Sequence, residues 1–204
     1  MPIVGQLMGT LITASMNGFG LTGEKVPAMS TAIGTAVVNA FLQAAYTGQS
    51  VGLGIGTGTS TGVISGGIVI GPLVGDEISK MMKTFGFTGE KNQQLSMAVG
   101  MGIANHMVSA LITGSSTVVG IGTGVGSIVG VIGPTLGASI QNELNGQGLT
   151  GEKIPLFSQA IGFGVANATS KSVVNTQIVG VAVGTVPPAF PPIPSTGTDS
   201  GVIK

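Results

Sequence analysis

A tetrapeptide that occurs three times limits the possible folds of this chain more than any other feature. Thr-Gly-Glu-Lys begins at Thr22, Thr88 and Thr150. Shifting the sequence by the two offsets aligns three segments without a gap, and self-similarity of this kind is typical of repeat architectures. The sequence therefore predicts three tandem copies of one module, with pseudo-threefold symmetry, at residues 3–58, 69–124 and 131–186.

Glycine and asparagine also recur at equivalent positions of the three modules. These positions are Gly5, Gly71 and Gly133; Gly34, Gly100 and Gly162; and Asn39, Asn105 and Asn167. A glycine inside a helix costs about 1 kcal/mol relative to alanine, so we expect the repeated glycines to mark close crossings of two helices. We expect the asparagines to be buried, as caps or as hydrogen-bonding anchors between a helix and the following ribbon, with ligand binding as the alternative.

Each module is predicted to hold two helices followed by an extended ribbon. The predicted helices occupy, in chain order, about 7–17, 26–45, 72–84, 92–111, 134–145 and 154–174. Glycines after the first helix of each module are expected to cap it, at 18 or 20, at 86, and at 146 or 148. Glycine then alternates with β-branched residues at 51–58, 118–126 and 178–184. The predicted fold class is mainly α with short Gly-rich extended strands, in three tandem αα-hairpin-plus-ribbon repeats.

The end of the chain departs from the repeat. Five prolines between Pro187 and Pro194 favour an extended or polyproline conformation. Residues 195–204 are polar and show no periodicity. We expect residues 187–204 to form a Pro-rich arm that lies on a neighbouring subunit, with a free disordered end as the alternative.

The residue types needed for most site chemistry are scarce. The chain has no Cys, one His and seven acidic residues balanced by seven basic ones, so the usual zinc ligand sets and a phosphate-backbone interface are disfavoured. Residues 54–58 and 120–124 resemble a phosphate loop, but the flanking strand and helix and the Lys-Ser/Thr pair are missing. We therefore expect no catalytic, cofactor-binding or metal-binding residues and no specific binding of nucleic acid.

The charged and titratable residues of the modules fall into three groups. The sole histidine, His106, stands where the other two modules carry alanine, and we expect a structural role for it. Asp76 and Glu77, with lysines further along the same predicted helix, follow the order that the helix dipole favours and are expected to form a solvated face. The repeated Glu-Lys pairs are expected to stabilise or solvate their turns, with a shared surface contact as the alternative.

Charge is missing from long stretches of the chain. No Asp, Glu, Lys or Arg occurs at 26–75, 92–142 or 172–198. A bilayer could bury such stretches, but the best candidate, Val118 to Leu136, is interrupted by several glycines and by Pro134. Burial against other protein chains is favoured, because low charge, small side chains and strand edges suit permanent subunit contacts.

The motifs resemble those of a known class of proteins. Helices with Ala-Ile-Gly-x-x-Val-x-Asn followed by Val-Gly-x-Gly-Thr-Gly ribbons are similar to the small Gly/Val/Ala-rich virion structural proteins of tailed bacteriophages. The resemblance covers the modules and carries over no functional residues. It implies a non-enzymatic minor component of the virion, in the capsid, neck or tail, with other virion proteins and copies of itself as partners. A membrane-active pore, lysis or genome-delivery protein is the alternative.

Overall fold

Two helices followed by two strands form a unit that occurs three times along the chain. The computed structural model describes residues 4–53, 56–118, 121–171, 174–180 and 194–203. In the described part, the first unit consists of α1 (Gly5–Gly18), α2 (Val26–Leu42), β1 (Ala44–Leu53) and β2 (Gly56–Gly66). The second consists of α3 (Gly71–Thr84), α4 (Asn92–Met107), β3 (Leu111–Val118) and β4 (Ile121–Val129). The third consists of α5 (Gly133–Gly146), α6 (Ile154–Thr169), β5 (Val174–Gly180) and β6 (Pro194–Ile203).

The six helices form a ring of three hairpins. Within each unit the two helices pack as a pair, α1 on α2, α3 on α4 and α5 on α6. The hairpins also contact one another in turn, α2 on α3, α4 on α5 and α6 on α1, so that the ring closes. The prediction of a mainly α chain built from three helical hairpins is confirmed.

The strands form a second layer. They pair antiparallel in chain order, and β6 returns to pair with β1, which closes the sheet into a barrel. Each even-numbered helix runs directly into a strand, and after β2 and β4 a few residues lead back to a helix. The junctions between helices and strands therefore lie together, between the helical ring and the barrel.

Alternation along the strands separates an inner from an outer face. Ile112 is fully buried and lies opposite Ile128 and Gly62, whereas the adjacent Leu111 and Val129 are 46% and 37% exposed. The inner positions that follow along β3 and β4 are Gly114 and Gly126, which also face each other. Because a six-stranded barrel is narrow, its inner face favours residues with little or no side chain. This explains why glycine alternates with larger residues in the sequence.

The strands are longer than the predicted ribbons, and the second helix of each module ends earlier than predicted. The α2 helix ends at Leu42, and β1 and β2 extend over most of 44–66, whereas a helix to 45 and a ribbon at 51–58 were expected. Residues 181–184 of the third predicted ribbon lie outside the described residues. The first unit therefore extends to Gly66 and includes residues that lie between the first two predicted modules.

The predicted C-terminal arm needs correction where the structure describes it. Residues Pro194–Ile203 form β6, which pairs with β1 on one side and β5 on the other within the same chain. The physical reason is completion of the third unit, since without β6 both β1 and β5 would be unpaired edges. Residues 187–193 of the predicted arm lie outside the described residues.

Glycine ends the first helix of each hairpin. Gly20, Gly86 and Gly148 have φ values of 73°, 83° and 72°. The next residue in each case donates its backbone N–H back into the helix, as from Leu21 to the Met16 carbonyl at 2.9 Å. This pair of features is the Schellman motif, which ends a helix with a left-handed residue. Of the two glycines predicted as possible caps in the first and third units, the later one, Gly20 or Gly148, therefore ends the helix.

Candidate functional site

The repeated glycines lie where the two helices of a hairpin cross. In the first hairpin, a Cβ added to Gly34 on α2 would lie 2.5 Å from the backbone nitrogen of Gly9 and 2.8 Å from the carbonyl oxygen of Gly5. A Cβ on Gly5 would lie 2.6 Å from the Cα of Thr35. These backbones therefore touch, and only glycine fits at the crossing.

The same crossing occurs in the other two hairpins with different neighbours. A Cβ on Gly162 would lie 2.5 Å from the carbonyl oxygen of Gly133, and one on Gly100 would meet the backbone of Gly75. The glycine at the start of each hairpin is covered by a different side chain: Met101 lies beside Gly71, and Phe163 lies beside Gly133. The glycine backbone contact is thus the constant part of each hairpin, and the covering side chains vary.

A second set of glycine contacts joins neighbouring hairpins. A Cβ on Gly102 of α4 would lie 2.5 Å from the Cα of Ile140 on α5, and one on Gly164 of α6 would lie 2.6 Å from the Cα of Ile12 on α1. Sequence analysis missed this role. The signal was available, because Gly102 and Gly164 are equivalent under the repeat and stand two residues after the glycine of the hairpin crossing.

Two of the repeated asparagines also join neighbouring hairpins. Asn39 Nδ2 on α2 donates to Glu77 Oε1 on α3 at 2.9 Å. Asn105 Nδ2 on α4 donates to Glu143 Oε1 on α5, also at 2.9 Å. The prediction that the repeated asparagines are buried anchors between a helix and a ribbon is wrong for Asn39 and Asn105. Both hydrogen bonds run between helices, and Asn105 is exposed.

The third junction lacks this hydrogen bond. Under the repeat, Glu77 corresponds to Leu11 of α1 and Ser139 of α5, whereas Glu143 corresponds to Ser15 of α1 and Met81 of α3, so α1 carries no glutamate at either position. Asn167 is exposed on α6. An aromatic contact is found at this junction instead, with the rings of Phe19 and Phe163 centred 5.8 Å apart. The ring of hairpins is therefore joined by two polar junctions and one apolar junction.

The face that carries Asp76 and Glu77 is only partly solvated. The Glu77 side chain is 19% exposed and lies 3.9 Å from the Lys80 ammonium. Asp76 is exposed and accepts a hydrogen bond from Gln93 Nε2 at 2.9 Å. Glu77 thus links two hairpins in addition to pairing with Lys80, whereas the sequence predicted only a solvated face.

The Thr-Gly-Glu-Lys turns lie at the ends of the hairpins away from the barrel, and Thr22, Thr88 and Thr150 are exposed there. A shallow cavity of about 450 Å³ opens beside the second turn. Apolar side chains form much of its wall, and Lys25 and Lys91 contribute from two different modules.

Among the described residues, no three His, Asp or Glu side chains are grouped so that they could hold a metal ion.

His106 connects α4 to the segment that follows β4. Its side chain is 7% exposed, and its Nε2 accepts the backbone N–H of Ile132 at 3.3 Å. Burial lowers the pKa of His106, and a hydrogen bond with the backbone of Gly130 opposes that shift. The neutral imidazole therefore holds the short connection between β4 and α5 against the helical layer.

The glycine-rich segments considered as phosphate loops lie in strands where the structure describes them. Gly56 to Gly58 belong to β2 and Gly122 to Gly124 to β4, and neither segment leads directly into a helix. Residues 54–55 and 120 lie outside the described residues. The geometry of a phosphate loop at a helix N-terminus is therefore not formed by these described glycines.

Comparisons with known proteins found no matching family model, no similar curated protein and no similar solved structure. Within the part of the chain that the structure describes, every helix is too short or too polar to cross a membrane.

Proposed function

We propose that this chain is a non-enzymatic assembly protein, a minor structural component in the capsid, neck or tail of a tailed-bacteriophage particle. It acts through repeated contacts with other virion proteins and with copies of itself. The observation that carries the proposal is the closed ring of three equivalent hairpins in one chain. A single molecule of this kind presents three hairpins of the same architecture in three directions, which suits a position on a threefold axis.

The distribution of charge supports contact rather than chemistry as the basis of function. The formal net charge is zero and only 7% of residues are charged. Such a chain has little long-range attraction for a charged substrate or nucleic acid. Low charge is instead typical of the buried centre of stable interfaces between subunits.

The test is the composition of purified particles. Particles produced by the genome that encodes this chain would be banded on a density gradient and analysed by quantitative mass spectrometry. We expect the chain to band with the particles at a constant ratio to their major coat protein. A chain found only in unassembled fractions would overturn the proposal. Recovery only from detergent-extracted membranes would favour the membrane-active alternative.

A further inference from the structure

The cavity beside the second Thr-Gly-Glu-Lys turn is bounded by all three modules. Its volume of about 450 Å³ lies within the range of roughly 300–1,000 Å³ that is typical of small-molecule sites. The second module supplies most of its wall, and Lys25 of the first module and Leu149 of the third complete it. The cavity therefore depends on the assembled ring of hairpins.

Much of the wall is apolar. Met82 near the end of α3, Phe87 in the turn, Leu95 on α4 and Leu149 all line the cavity. Phe87 and Leu95 pack against the core but are only partly buried, so part of their apolar surface remains in contact with water. A hydrocarbon chain that covered this surface would remove it from water, which favours binding.

Two lysines stand at the cavity without an acidic partner. Lys25 and Lys91 are equivalent under the repeat, and both are exposed. In the part of the chain that the structure describes, no carboxylate lies within 4.0 Å of either ammonium group. The residues that line the cavity include neither Glu24 nor Glu90, which precede the two lysines in the sequence. The wall therefore carries two positive charges and no negative charge.

A buried amide adds a further hydrogen-bond donor to the wall. Asn92 begins α4 and is 8% exposed, whereas the other modules carry the aliphatic residues Val26 and Ile154 at this position. Its Oδ1 accepts from the Ser96 hydroxyl at 3.2 Å, and its Nδ2 donates to the Ser79 carbonyl at 3.5 Å. An amide nitrogen carries two hydrogens. The second has no acceptor in the described part of the chain.

We propose that this cavity binds a small amphiphilic anion, an aliphatic chain that ends in a carboxylate. Lys25, Lys91 and Asn92 hold the carboxylate, and the apolar wall covers the chain. The two lysines disfavour a cationic amphiphile, and the apolar wall offers nothing to a strongly hydrated anion such as inorganic phosphate. The inference is independent of the proposed function, since a ligand site of this kind suits a structural protein as well as any other.

The first experiment tests the chemical class of the ligand. Isothermal titration calorimetry measures the binding of decanoate to the full chain, with decyltrimethylammonium as an amphiphile of similar length and opposite charge. We expect decanoate to bind at one site per chain, and at least about 10-fold more tightly than the cation because the lysines attract only the anion. Octanoate should bind more weakly than decanoate, by up to about 4-fold for each methylene that the wall no longer covers.

The second experiment locates the site with a matched set of lysine variants. The test variant carries Lys25→Gln and Lys91→Gln. The control is Lys153→Gln, because Lys153 is the equivalent lysine of the third module and is exposed but does not line the cavity. Each exposed charge pair contributes up to about 5-fold to binding. We therefore expect the test variant to bind decanoate at least about 5-fold more weakly, and the control to bind it like the native chain.

Circular dichroism confirms that the variants are folded, which we expect because all three lysines are exposed. Absence of saturable decanoate binding would overturn the inference, as would equal binding of the two amphiphiles. An equal loss in the test variant and the control would also overturn it. Flotation with phosphatidylglycerol vesicles that requires Lys25 and Lys91, without binding of free decanoate, would overturn it in favour of a lipid surface. The particle analysis decides separately whether the proposed function stands.

Discussion

Asn105 on α4 donates a hydrogen bond to Glu143 on α5 at 2.9 Å, and this bond joins the second hairpin to the third. Asn167 occupies the equivalent position on α6, where the residue of α1 equivalent to Glu143 is Ser15, and no hydrogen bond from the Asn167 side chain is found in the described part of the chain. The repeat therefore contains its own matched control for the contribution of this bond. The comparison leads to a direct prediction about stability.

Replacing Asn105 with alanine is expected to lower the free energy of unfolding by about 1 kcal/mol. A hydrogen bond to a charged group contributes more than that when buried, but this one is exposed and is weakened by water. Asn167→Ala is expected to change stability by less than about 0.5 kcal/mol. Urea denaturation of both variants measures the difference. Equal losses for the two would show that the hydrogen bond to Glu143 contributes nothing.

The helix pairs could be predicted because they depend on local patterns and on the repeat offset. Gly20, Gly86 and Gly148 end their helices through their own backbone conformation, which is visible in the sequence. The partners of Asn39 and Asn105 could not be found in the same way, because they lie on the helix of the next module. Aligning the three copies places Glu77 over Ser139 and Glu143 over Met81, so the repeat does not reveal either pairing.

Gly34→Ala is expected to destabilise the chain by about 2 kcal/mol or more. The new Cβ would lie 2.5 Å from the backbone nitrogen of Gly9, so the two helices of the first hairpin would have to separate. Gly18→Ala is the control, because Gly18 lies in α1 with nothing within 4 Å of its added Cβ. This control should gain up to about 1 kcal/mol from helix propensity. Thermal unfolding of both variants gives the comparison, and a neutral Gly34→Ala would contradict the tight crossing.

His106 predicts a pH dependence of stability. Burial lowers its pKa in the folded chain below the ordinary value of 6.5. Above pH 6.5 the imidazole is neutral in both the folded and the unfolded chain, and its contribution to the free energy of unfolding is fully present. As the pH falls below 6.5, the unfolded chain takes up the proton first, so the free energy of unfolding decreases until the lowered pKa is passed.

Chemical denaturation between pH 7.5 and 5.5 measures this effect, since carboxylates with ordinary pKa values remain ionised over the range. The variant His106→Gln keeps an acceptor for the Ile132 N–H but does not titrate. We expect the native chain to lose stability toward pH 5.5 and the variant to lose clearly less. Parallel pH profiles for the two proteins would show that His106 is not the titrating group.

Barrel closure was harder to predict than the helices, because strand pairing is set by partners far apart in the chain. The tetrapeptide repeat ends before β6, and the prolines ahead of Pro194 suggested a separate arm. The pairing of Gly48 with Gly62 on one side and with Asp199 on the other depends on residues from both ends of the sequence. No local pattern contains that information.

Removal of β6 is therefore expected to damage the whole barrel. A chain that ends at residue 193 would leave β1 and β5 as unpaired edges, which are prone to pair with other molecules. We expect a loss of at least about 3 kcal/mol, which lowers the unfolding midpoint by about 6–12 °C in a protein of this size. Differential scanning calorimetry measures the midpoint, and light scattering measures aggregation. The control lacks only Lys204, which follows β6 in the sequence. If the chain ending at residue 193 unfolds at the same temperature as this control, β6 does not contribute to the fold, and the interpretation as an external arm regains support.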